Sequence, residues 1–142
     1  MDFELIFSIS GILAMIGWLF LLVFPWISTW SNRIAGFLIP FVLSLGYTGL
    51  LLFYPSNAGG GFGSFEEITQ LFSNPRALMA GWIHYLAFDL VVGAWICREG
   101  QRLGIVFWAV LPCLPLTFLF GPAGFMVFLL IRSFWKKDPI PS

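Results

Sequence analysis

The stretch LIFSISGILAMIGWLFLLVF, residues 5–24, carries no charged side chain over its whole length. At 1.5 Å rise per residue it makes a helix of about 30 Å, the thickness of a bilayer's hydrocarbon core. The rest of the chain repeats that composition. Of its 142 residues, 59% are hydrophobic and 10% charged, against about 25% charged in a soluble domain, and the mean hydropathy is +0.92. A soluble core of this size cannot absorb so much apolar surface, so lipid must solvate the excess. The predicted fold is all-α: one membrane domain, residues 1–142, built as an integral bundle of about four transmembrane helices. A net charge of zero gives no electrostatic case for nucleic-acid binding.

Met1-Asp2-Phe3-Glu4 is acidic where a secretory signal would be basic. The apolar run ends in Phe24-Pro25-Trp26, with no small-residue cleavage site. The first segment therefore reads as a retained helix. No Arg- and Ser-rich transit segment is visible. A second span is expected over residues 34–54, with Pro40 near its start, and a third over 78–97, opened by an Asn74 cap and Pro75.

The last apolar run, residues 104–131, would measure about 42 Å as one straight helix, longer than the core requires. It contains Pro112, Pro115 and Phe120-Gly121-Pro122, so it is expected to be kinked or broken. Residues 55–75 form the one sizeable loop. Its Gly59-Gly60-Gly61 run lacks the lysine and the preceding strand of a phosphate loop and reads as a flexible linker. Within the loop, residues 64–73 read as an amphipathic surface helix, capped by Ser64 and Glu67 and with Phe65, Ile68, Leu71 and Phe72 near one face.

The charges leave orientation open. With four crossings, Arg76, Arg132, Lys136 and Lys137 face one side, and Arg33, Arg98 and Arg102 the other. If the last run doubles back, Arg76 alone opposes the other six.

Chemistry concentrates in GWIHYLAFD, residues 81–89, which carries an imidazole and a carboxylate to membrane depth. An aspartate there costs roughly 3 kcal/mol on insertion scales, so it should face protein. At 100° per residue, His84 and Asp89 lie about 140° apart around the axis. Asp89 shares a ridge with Trp82, Tyr85 and Gly93, and His84 shares one with Gly81, Phe88 and Trp95. Asp89 reads either as a functional carboxylate or as a polar anchor between helices. His84 is the one histidine, and no metal site or haem-attachment motif is expected. Cys97 and Cys113 read as small apolar fillers. Ser8, Ser10, Ser44, Tyr47, Thr48 and Thr117 read first as packing or backbone-bonded hydroxyls.

Three parts of the chain together resemble a known family. Asn74-Pro75, the run from Leu78 through Gly81-Trp82-Ile83-His84-Tyr85-Leu86-Ala87-Phe88-Asp89 to Leu90, and Gly93-x-Trp95-Ile96 are similar to the hallmark stretch of the neoxanthin synthase-like family. It is also called the abscisic acid-deficient-four-like family. Leu111-Pro112-Cys113, Leu116-Thr117, Phe120-Gly121-Pro122-x-Gly124 and Leu129-Leu130-x-Arg132 resemble its last span.

The family's plant members are tied to converting violaxanthin to neoxanthin. The resemblance implies a carotenoid or related isoprenoid ligand and cofactor-free chemistry. Epoxide-to-allene isomerisation needs one proton delivered to the epoxide oxygen and one removed from the neighbouring chain carbon. His84 and Asp89 are the expected acid/base pair, with Tyr85 as helper. Trp82, Phe88, Gly93, Tyr47, Thr117, Phe120, Gly121 and Pro122 are expected to line one elongated cavity that reaches both. Two other readings stay open: a non-catalytic carotenoid-binding or assembly protein, and a small proton or solute conduit. Beyond the bilayer and its ligand the sequence names no partner, and homo-oligomerisation is left open.

Overall fold

The computed structural model describes residues 1–23, 29–53 and 59–135, and every regular element among them is helical. Phe24-Pro25-Trp26, Tyr54 at the end of the expected second span, and Lys136 and Lys137 lie outside the described residues. Helix α1 is Phe3–Leu22, and its acidic start is a cap: Asp2 accepts the Leu5 N–H at 3.0 Å. The second rod stacks α2 (Thr29–Arg33), a π turn (Ile34–Leu38) and α3 (Ile39–Phe53) end to end. Pro40 explains the π turn. It has no N–H, and its ring would collide with the carbonyl one turn back. The ladder relaxes by one residue, and the Ile39 N–H reaches the Ile34 carbonyl instead.

Helix α4 is Phe65–Phe72 and is capped as expected, the Ser64 hydroxyl accepting the Glu67 N–H at 3.1 Å. The described glycines are not a slack linker. Glu67 accepts the Gly63 N–H on its carboxylate at 2.9 Å and the Gly61 N–H on its carbonyl at 3.2 Å. Gly60 turns the chain there with φ +118°, a region open to glycine and strained for other residues. Helix α5, Pro75–Arg102, begins with Asn74 accepting the Arg76 N–H at 2.9 Å. It is the hub of the molecule. Leu90, Ala94, Ile96 and Cys97 are buried in its middle, and α1, α3 and the last segment all pack on it.

Helices α6 (Phe107–Val110) and α7 (Cys113–Phe134) make up the fourth apolar segment. The expected break is at Phe120, whose φ −139° and ψ 52° are not helical. The chain does more than kink there. A Cβ on Gly124 would touch the Thr117 side chain and backbone and the Cys113 carbonyl, atoms about 10 Å or more away along one straight helix. Phe118 lies at Tyr85, Gly121 at Asp89, Phe125 and Phe128 at Trp95, and Arg132 at Glu99. Residues 107–119 therefore run down α5 and residues 121–134 run back up it. Each arm is about 20 Å long, too short to cross. Four segments are long and apolar enough to span a membrane; the fourth doubles back as a helical hairpin inside the bundle.

Lipid explains the outer surface. Leu19, Phe37, Leu45, Leu52 and Leu130 are exposed on the spans, which water would penalise and acyl chains do not. Among the described residues, charged side chains other than Asp89 lie toward the two ends. At the end where α5 stops, Glu99 is held by Arg102, at 2.7 Å to each carboxylate oxygen, and by Arg132 at 3.2 Å. Arg98 donates to Asn32 at 2.7 Å, and Asn32 in turn donates to the Ala94 carbonyl at 2.9 Å. These bonds pin the second rod and the hairpin's return arm to α5.

Candidate functional site

A cavity of about 780 Å³ lies at the opposite end, between α3, α4 and the start of α5, within the range usual for small-molecule sites. Tyr47 and Leu51 come from α3, Phe62, Leu71 and Phe72 from the glycine loop and α4, and Ala77, Leu78, Ala80, Gly81, Trp82, His84 and Tyr85 form the α5 wall. Gly81 makes room for the roof: a Cβ there would lie 2.7 Å from the Phe72 ring. His84 is the polar feature of the wall. Its ring lies 4.7 Å from Phe88, stacked at 27°, and 5.8 Å from Tyr47. His84 and Phe88 are both exposed on the bundle surface, so this side of the cavity meets the bilayer. A second hollow of about 610 Å³ runs along α1, lined by Phe7, Ser8, Gly11, Ile12, Met15, Ile16 and Leu19, none an acid or a base.

The remaining expected site residues assemble elsewhere, at the hairpin tip. Tyr85 reaches from the cavity wall toward it and donates its hydroxyl to the Phe118 carbonyl at 2.9 Å and the Leu119 carbonyl at 3.2 Å. The reason is Pro122. In a continuous helix the Phe118 carbonyl would accept from residue 122, and proline has no N–H to give. Tyr85 thus satisfies carbonyls released where the descending arm ends. Asp89, one turn along the same ridge, meets the start of the return arm. A Cβ on Gly121 would collide with its carboxylate, so glycine there admits the side chain. A carboxylate at a helix N-terminus is favourably placed against the helix dipole. Its Oδ2 is buried without a hydrogen-bond partner, and so is the Trp82 Nε1 two turns away on that ridge.

The single shared pocket is therefore corrected. Tyr47, Trp82, His84 and Tyr85 share the cavity, while Asp89 is outside its lining. The helical angle decides this: 140° of rotation aims His84 at α3 and Asp89 at α7. Gly93 is not a ligand contact either. It lets α1 approach, a Cβ there lying 2.7 Å from Trp18. Thr117 donates to the Cys113 carbonyl at 2.7 Å and packs against Gly124 inside the hairpin. Phe120 and Pro122 are exposed at the tip, away from the cavity. Sequence reasoning missed Phe62, Leu51, Ala77, Leu78 and Ala80. The apolar face of residues 64–73 was visible, but it reads as a membrane-surface contact until α4 is seen folded over α5.

Among the described residues no three histidine, cysteine, aspartate or glutamate side chains are placed to share a metal ion. The site offers one imidazole, phenol hydroxyls and an apolar trough, which together can exchange a proton with a hydrophobic ligand. No curated protein and no solved structure matches the chain. A family model described as ABA DEFICIENT 4-like matches residues 5–128. That match takes in all three full spans, α4 and most of the hairpin, and the chain is a member of the ABA DEFICIENT 4-like family of membrane proteins.

Proposed function

We propose that this chain is a membrane isomerase acting on a carotenoid or a related isoprenoid, and that the reaction occurs in the cavity under α4. The family supports the ligand class through its name, which refers to abscisic acid deficiency. The observation that carries the site is His84 facing Tyr47 at 5.8 Å between ring centroids on the wall of a mostly apolar trough. A trough of that size holds one ring end of a long polyene and the adjoining chain, and the rest of the ligand lies in the bilayer.

The chemistry needs no redox partner. His84 takes a proton from the chain carbon beside an epoxide, the carbon–oxygen bond opens, and a proton returns to the oxygen. Atoms and electrons balance as an isomerisation. Tyr47 is the hydroxyl placed to assist at the oxygen, because the Tyr85 hydroxyl is already given to two carbonyls. Low local polarity favours such transfers, since water does not compete for the proton. The test is the pigment profile of a carotenoid-producing host with and without the gene. A changed ratio of isomers supports catalysis. An unchanged profile, with pigment co-purifying with the protein, supports a binding or assembly role instead.

A further inference from the structure

We infer that the cavity opens on the non-cytoplasmic side of the membrane, so that its ligand enters and leaves through the outer leaflet. The argument rests on the hairpin and does not depend on the proposed reaction. Arginines and lysines near span ends are retained on the cytoplasmic side. Had the last segment crossed, Arg132 would sit with Arg76, against Arg33, Arg98 and Arg102, and the bias would be slight. The salt bridge from Arg132 to Glu99 places it at the other end.

Arg33, Arg98, Arg102 and Arg132 then share one end, and among the described residues only Arg76 marks the other. The acids divide the opposite way. Asp2, Glu4, Glu66 and Glu67 lie at the cavity end and Glu99 at the arginine end. The arginine end is therefore cytoplasmic. The amino terminus, the glycine loop and α4, which roofs the cavity, face outward. Phe62 and Phe65, both more than four-fifths exposed, are then set in the outer leaflet's interface beside the cavity mouth.

The experiment uses the full chain in the cytoplasmic membrane of a bacterial host. Two single substitutions, Glu66→Cys on α4 and Gln101→Cys at the end of α5, are treated with a membrane-impermeant maleimide before and after lysis. Cys97 and Cys113 are buried, and the unsubstituted chain supplies the background. The expected result is full labelling of Glu66→Cys in intact cells and labelling of Gln101→Cys only after lysis. The reverse pattern, or equal labelling of both in intact cells, overturns the inference. Fusion of a reporter to the carboxyl terminus decides the same point without a new cysteine. A fluorescent protein that matures there agrees with the assignment, whereas an active alkaline phosphatase contradicts it.

Discussion

Tyr85 and Asp89 show how one ridge of a helix can hold a broken neighbour. The phenol satisfies carbonyls at the end of one arm, and the carboxylate meets the start of the next. Tyr85→Phe should lower stability in detergent by about 1–3 kcal/mol, the cost of leaving carbonyls without a donor where the apolar surroundings supply none. A thermal melt unchanged from wild type would remove that role. Asp89→Asn keeps shape and polarity, so it should accumulate normally and retain most conversion. A well-folded Asp89→Asn without conversion would move the proton chemistry to this carboxylate. The residue types were legible in the sequence, since an aspartate and a histidine at membrane depth are expensive or unusual. Their separate duties were not, because 140° of rotation says that two faces differ and not which neighbour each face meets.

The hairpin is the element that composition could not supply. Pro115 and Gly121-Pro122 announce a break, but a kink and a reversal begin with the same residues. What fixes the reversal is a tertiary approach, Gly124 against the backbone at Thr117 and Cys113. Backbone cannot swing aside as a flexible side chain can. Gly124→Ala should therefore cost about 1–3 kcal/mol by overpacking, read as a lower melting temperature. Gly46→Ala is the control: a Cβ there meets nothing within 4 Å. It should be neutral or stabilising by up to about 1 kcal/mol, since alanine is the better helix former. Equal losses from both would mean that the arms do not pack as described. At the cavity, Gly81→Val should push Phe72 and lift α4 while leaving the bundle intact. Faster protease cleavage within residues 59–74 at an unchanged melting temperature is the expected outcome, and unchanged cleavage would show that Phe72 accommodates the added bulk.

At the scale of the molecule, the membrane class, the helix positions and the two helix caps on either side of α4 follow from composition and local chemistry. The hub role of α5 and the cavity under α4 do not, because both are made by elements meeting across the chain. The account's central claim is that His84 performs proton transfer on an isoprenoid held in that cavity. Its most direct test is conversion of an epoxycarotenoid in membranes carrying wild type or His84→Gln at matched accumulation. The glutamine keeps a polar, hydrogen-bonding side chain and removes the imidazole. Wild-type membranes should form the isomer, and His84→Gln should melt like wild type with conversion lowered by about 100-fold or more. Undiminished conversion by a folded His84→Gln protein would contradict the account.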